Sequence, residues 1–289
     1  MIEMKKILLQ TTIPPAKDDW SISRFSMLAE FLTELTDSRG QALYHVAARD
    51  RQNNAEGDDA VLSKLDDSDF DQLWLFGVDV GGGLSANDCS AITRFHKRGG
   101  GVLTSRDHQD LGISFCTLGG VGNAHHFHSK NPEPDKSRQN IDDTESPTIT
   151  WPNYHSGSNG DYQKVQVLEP LHPVMRNPKS SSGKITMLPA HPHEGAVSVP
   201  KGANARAIAA GHSTLTGRNF NIAVAFDGNG GSGRAIADSS FHHFLDYNLD
   251  PARGCPSFVT EPPGDGMLKS AAAREDAYTY FRNLAGWLS

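Results

Sequence analysis

Gly99-Gly-Gly-Val-Leu-Thr-Ser-Arg-Asp-His-Gln-Asp-Leu-Gly112 is the stretch on which the reading of this chain turns. A short apolar run, Val102-Leu103-Thr104, ends abruptly in residues able to do chemistry: Ser105, Arg106, Asp107 and His108. Upstream, Phe70 to Phe76 has the character of a buried strand, and Ser85 to Lys97 reads as the helix between the two. Strand, crossover helix and strand make a βαβ unit. Ligands of open parallel sheets bind just beyond the carboxyl ends of the strands. Ser105 to His108 therefore fall where that architecture places a site.

The same alternation extends in both directions. Lys6 to Thr11 reads as a first strand and Ala42 to Ala47 as a second. Between them Ser21 to Leu35 carries Ile22, Phe25, Leu28, Ala29, Leu32 and Leu35 at helical spacing. Ala60 to Leu65 reads as a short helix, Asp71 to Phe76 as the third strand. The next helix opens at Ser85 with Asp88 three residues on, a capping-box start with Asp in place of Glu. Gly99-Gly-Gly stops it. Such alternation predicts a mostly parallel sheet wrapped by helices.

From Thr117 to Tyr162 the pattern vanishes into Gly, Asn, Pro, Asp and His. A loop this long inside a domain points to a lid, and Trp151 and Tyr154 give it something to pack with. In the second half, strands are expected at Lys184–Leu188, Ala205–Ala210, Asn219–Ala225 and Arg234–Asp238. The Gly-rich turn at 227–233 makes the last pair a hairpin or meander, hence antiparallel additions to the sheet. A short helix, Phe241 to Leu249, a Pro-rich bridge, Pro251 to Pro263, and a terminal helix, Lys269 to Leu288, complete the chain.

The 289 residues suffice for one large core, and no linker divides two independently periodic halves, so one domain over 1–289 is expected. The 27 basic residues are dispersed among 34 acidic ones, for a net charge of −7, which leaves no footprint for nucleic acid. No apolar run approaches the roughly 20 residues that cross a bilayer. The opening Met1-Ile-Glu-Met-Lys-Lys-Ile-Leu-Leu is too soon polar for a signal peptide. Cys89, Cys116 and Cys255 are odd in number and far apart, against a disulfide framework or a CxxC zinc site. A cytoplasmic protein with a small-molecule partner is expected, neither nucleic acid nor membrane; a homo-oligomer stays open.

Histidine is the chemical signature, with 13 residues, several of them clustered. In Pro189-Ala-His-Pro-His-Glu-Gly195, His191 and His193 lie two apart. On an extended segment both imidazoles point one way and, with Glu194, form a candidate metal site. In Asp238-Ser-Ser-Phe-His-His-Phe-Leu-Asp246, His242 or His243 is a candidate base, and Asp246 is placed to orient an imidazole. His125-His-Phe-His128 could bind a metal, or metal adventitiously. Gly81-Gly-Gly lacks the residues of a P-loop and reads as a tight turn.

Around Ser105-Arg-Asp-His-Gln109 the chain resembles the class I glutamine amidotransferase-like superfamily, and within it the ThuA-like (trehalose-utilisation-like) branch. Amidotransferases of this fold carry a Gly-x-Cys-x-Gly-His-Gln elbow after a central strand. Laying its His-Gln on His108-Gln109 puts Ser105 at the cysteine, Asp107 at the second glycine and Leu103 at the first. The missing cysteine removes glutaminase chemistry. ThuA-like proteins also have His-rich segments resembling 189–195 and a pair like His172-Pro173.

The resemblance implies a flavodoxin-like three-layer α/β sandwich, with the strand ends near Asp238 delivering catalytic histidines. It implies a hydrolase-like or carbohydrate-handling enzyme, or alternatively a non-catalytic sugar-binding or interaction module. Two mechanisms fit the enzyme. In one, a divalent metal such as zinc at His191, His193 and Glu194 acidifies a water, with Glu194 or Asp107 as base. In the other, Ser105 attacks with His242 or His243 as base. Otherwise Ser105 caps a helix.

Overall fold

The computed structural model describes residues 4–16, 20–139, 142, 148–228, 230–257 and 259–289. The first half alternates as its apolar runs require. Its elements are β1 (Lys5–Thr11), α1 (Ser26–Glu34), β2 (Tyr44–Arg49), β3 (Gln72–Phe76), α2 (Ala86–Lys97) and β4 (Gly101–Ser105). Four short strands follow, β5 (His125–His126), β6 (Tyr162–Lys164), β7 (Gln166–Val167) and β8 (Met187–Pro189). Next come β9 (Ala196–Val197), β10 (Ala205–His212), β11 (Asn219–Phe226) and β12 (Ala235–Asp238). The chain closes with α3 (Asp246–Leu249), α4 (Gly266–Lys269) and α5 (Ala271–Leu288).

Eight strands form one sheet in the order β2-β1-β3-β4-β12-β11-β10-β7. The first five run parallel, and β11, β10 and β7 are added antiparallel. The parallel part has the 2-1-3-4-5 order of flavodoxin-like folds. Both faces of the sheet are covered, so every residue of β3 and of β4 is buried. Pleating deals β3 out to two cores. Trp74 and Phe76 pack with α1 and α5 through Phe25, Leu28 and Phe281, while Leu73 and Leu75 pack with α2 through Ile92 and Phe95. The three-layer sandwich follows.

The expected capping box is present: Asp88 N–H donates to Ser85 Oγ at 3.0 Å and Ser85 N–H to Asp88 Oδ2 at 2.9 Å. Asp88 also takes Arg51 Nη1 at 2.6 Å, tying the start of α2 to the end of β2.

Other elements are more broken than their periodicity suggests. Only a 3₁₀ turn, Ile22–Phe25, precedes α1 in the span expected as one helix. The strand expected at Lys184–Leu188 is shortened and shifted to β8, and the N–H groups of Thr186 and Met187 at its start donate to Asp276 Oδ2 at 2.9 and 3.0 Å. Phe241 to Leu249 splits into a 3₁₀ turn, Phe241–His243, and α3. The terminal helix breaks at Ser270, whose hydroxyl caps α5. In the segment expected as a lid, Trp151, Asn153, Tyr154 and Ser156 are buried, and Tyr154 stacks on Phe220 of β11. Residues 140–141 and 143–147 of that segment lie outside the described residues. Among the described residues no helix is long and apolar enough to cross a membrane.

Candidate active site

Parallel pairing of β4 with β12 sets Ser105 beside Asp238, so both strands release their chains at one place. Beyond Ser105 the backbone is organised by Arg106. Its fully buried guanidinium donates Nε to Leu111 O at 3.1 Å, Nη1 to His126 O at 2.7 Å, and Nη2 to His108 O and Gln109 O at 3.1 and 2.6 Å. It also lies 4.2 Å from the centre of the Phe127 ring. Burial lowers its pKa to about 9, which still leaves it charged at neutral pH. The loop is folded around this cation, and Asp107 and His108 are turned toward a cleft.

Two further segments reach the same place. The chain after β8 brings His191 and His193 across the ends of β4 and β12. Gly195 is needed there: a Cβ would lie 2.6 Å from both Asp107 O and Ser239 O. After β12 the chain turns at Ser240, whose Oγ accepts His242 N–H at 3.2 Å, and His242 is delivered beside His191. Their rings stack at 3.4 Å between centroids, 14° apart.

Asp107 is the centre. Its Oδ2 accepts from His108 Nδ1 at 3.0 Å and faces His242 Nε2 at 3.5 Å, while Oδ1 faces His191 Nδ1 at 3.3 Å. Burial works to raise its pKa, but the imidazoles of His191, His108 and His242 prevail and hold it well below the usual carboxylate range. Burial, with His242 alongside, holds His191 well below the ordinary imidazole value, against the pull of Asp107.

Partners fix the rings. Asn248 donates its amide to Ala190 O at 2.9 Å, which leaves its Oδ1 to accept from His242 Nδ1 at 2.8 Å. His193 Nδ1 pairs with Asn153 Oδ1 at 3.1 Å. The cleft, about 460 Å³, is lined by Asp107 and the four imidazoles on one side and by Ile13, Val78, Leu245 and Tyr247 on another. Ile13 follows β1, Val78 follows β3, Asp107 follows β4 and His242 follows β12, so four strand ends share it.

The other candidate residues belong elsewhere. His243 is fully buried in a sealed network, with Nδ1 2.7 Å from Asp238 Oδ1 and Nε2 3.4 Å from Glu194 Oε2. Burial presses its pKa down, but the two carboxylates outweigh burial and raise it to about 10. Glu194 is completed by the hydroxyls of Ser156 at 2.6 Å and Ser239 at 2.9 Å. Tyr280 OH donates to Asp238 Oδ2 at 2.8 Å. Glu194 is thus held away from the cleft that His191 and His193 line.

Ser105, fully buried, donates to Asp238 at 3.4 Å and ends a strand with no helix after it to cap. Asp246 accepts from Ser26 N–H, Ser26 Oγ and Met27 N–H at 3.1, 2.6 and 2.8 Å, so it caps α1 where an imidazole was expected. The histidines of 125–128 diverge. His125 bonds Thr104 Oγ1, His126 bonds Ser198 Oγ and Asn131 O, and His128 is exposed. Gly81 N–H donates to Asp79 Oδ2 in the turn after β3. Sequence reasoning missed Asn153 and Asn248, which hold the rings, and no local pattern marked either.

No family model matches the chain, and no curated protein matches its sequence. Among solved structures it is similar to the mmIFT52 N-terminal domain, with TM-score 0.50 and 13% identity over 84% of this chain and 90% of that one. The glutaminase domain of Trypanosoma brucei CTPS with bound acivicin aligns at TM-score 0.44 and 14% identity, over 98% of this chain and 94% of that one. A ThuA-like protein from Parabacteroides merdae aligns at TM-score 0.43 and 14% identity, over 95% and 99%. At these identities the likeness is one of fold.

Proposed function

We propose that the chain is a hydrolase-like enzyme acting on a small polar molecule, with carbohydrate the leading class, at the cleft around Asp107. The observation that carries this is the Asp107–His108 pair. Asp107 Oδ2 holds His108 by Nδ1, which fixes the tautomer and leaves Nε2 as the basic nitrogen. His108 is one-fifth exposed, whereas Asp107 is nearly sealed, so the imidazole has access to solvent and the carboxylate orients it. His193 stands edge-on to it at 5.3 Å between ring centres, within reach of the same substrate as the complementary acid. The apolar wall of Ile13, Val78 and Tyr247 suits the C–H face of a sugar, and the imidazoles suit its hydroxyls.

The test is a turnover screen of the purified full chain on chromogenic glycosides and unmodified disaccharides, read by mass spectrometry. His108→Asn should lower kcat on an accepted substrate by about 100-fold or more. Saccharide binding without turnover anywhere in the panel would instead favour the binding-module alternative, and full activity in His108→Asn would overturn the assigned base.

A further inference from the structure

We infer that Asp107, His191 and His242 form a binding site for one divalent transition-metal ion of the zinc type; this deepens the hydrolase reading and rests on it. The first ground is geometry. One donor atom from each residue lies within 4.8 Å of the others, the only such group of three among the described residues. Ligands about 2.1 Å from a tetrahedral ion stand roughly 3.4 Å apart. Asp107 lies 3.3 Å from His191 and 3.5 Å from His242.

The second ground is a buried carboxylate oxygen without a partner. Ala190 O fixes the amide of Asn248, so Asn248 Oδ1 must accept, and His242 carries its proton on Nδ1. His242 Nε2 is thereby turned to Asp107 Oδ2, 3.5 Å away. His191 Nδ1 faces Asp107 Oδ1 at 3.3 Å; it also lies 3.2 Å from the His193 N–H, a contact that an ion on Nδ1 would replace. Oδ1 is buried and meets no well-aligned donor. A buried carboxylate oxygen that no donor reaches, with two imidazole nitrogens facing the same carboxylate, is an arrangement that a cation among the three would satisfy. Asn248 is then the outer partner that a metal-bound imidazole ordinarily has, on the nitrogen away from the ion. Two nitrogens and one oxygen are a donor set that zinc accepts, with a coordination position left toward the cleft.

This differs from the site expected in the sequence. His191 stays, His242 and Asp107 join it, and Glu194 is bound to His243 instead.

The test is calorimetric titration of chelator-treated full-length protein with zinc chloride, with cobalt(II) absorption as a second readout of coordination. One equivalent should bind, with tetrahedral cobalt bands, and His242→Ala and Asp107→Asn should each weaken it at least about 100-fold. Asn248→Ala, which leaves all three donors in place, should weaken it by about 10- to 100-fold and guards against a donor variant that fails to fold. No stoichiometric binding, or binding that all three variants leave unchanged, overturns the site. Absence of stoichiometric binding together with turnover that survives complete chelation overturns the site and leaves the hydrolase reading standing. One bound equivalent that the variants abolish supports the site even where no substrate turns over, a result that counts against the hydrolase reading alone.

Discussion

Arg106 Nη2 donates to the carbonyl of Gln109 at 2.6 Å, and Gln109 itself stands at φ +49°, in the left-handed region that side chains other than glycine rarely enter. The two facts belong together. The chain leaving β4 reverses around one buried guanidinium, which gathers the carbonyls of His108, Gln109, Leu111 and His126, and Gln109 N–H donates to Pro152 O at 2.8 Å. The reversal aims Asp107 and His108 at the cleft. Where the family resembled by this sequence places a nucleophile at the tight turn, this chain places a cation beneath it.

Replacing Arg106 with lysine should therefore be damaging even though the charge is kept. One ammonium cannot span four carbonyls that a planar five-donor group reaches. Orphaned buried carbonyls cost about 1–3 kcal/mol each, so a loss of roughly 2–4 kcal/mol in urea unfolding is expected. Stability within about 0.5 kcal/mol of the parent would show that the loop does not need its clamp.

Ser105→Ala tests the nucleophilic alternative. The hydroxyl is sealed and its one bond, to Asp238, is long. Turnover on an accepted substrate should stay within about threefold, whereas removal of a true serine nucleophile costs on the order of a million-fold in kcat. A loss of that size would return Ser105 to the chemistry.

Asp246→Ala should act on the fold rather than on the site. Its carboxylate accepts two backbone N–H groups and a hydroxyl at the start of α1. Losing such a cap costs about 1–2 kcal/mol. Zinc affinity should be unchanged; a parallel fall in affinity would mean that Asp246 does support His242.

The parallel sheet, its crossover helices and the place of the site were legible because each rests on local signals. Val102-Leu103-Thr104 followed by Ser105-Arg-Asp-His108 could be read as a buried strand running into a site. Pairings among the histidines were not. Adjacent residues His242 and His243 went to different networks, one lining the cleft and one fully buried, because a 3₁₀ turn sends consecutive side chains in different directions. Glu194 was read with its neighbours His191 and His193, but its partners Gln163, Ser239 and His243 come from distant strands and turns. Asp246 likewise caps a helix that lies 220 residues earlier. Periodicity carries no information on such contacts.

Stability should be greatest near pH 6.5 and fall on both sides, for opposite reasons. Burial holds His172 down at about 4 and His125 well below the ordinary value. Below the unfolded pKa of about 6.5 the unfolded chain gains protons there that the folded chain does not, so stability falls as pH drops, for His172 until about pH 4. His243 works the other way. Its folded pKa is raised to about 10 by Asp238 and Glu194 against burial. Its contribution is complete below about 6.5 and is lost as pH rises toward 10. Urea unfolding between pH 5 and pH 9.5 should show both limbs. His243→Gln should be less stable at pH 6.5, with two carboxylates left uncompensated, and its alkaline limb should be shallower by about 1.4 kcal/mol per pH unit. An alkaline slope identical to that of the parent would mean that His243 does not hold its proton in the folded state, and that Asp238 and Glu194 are held together by other donors.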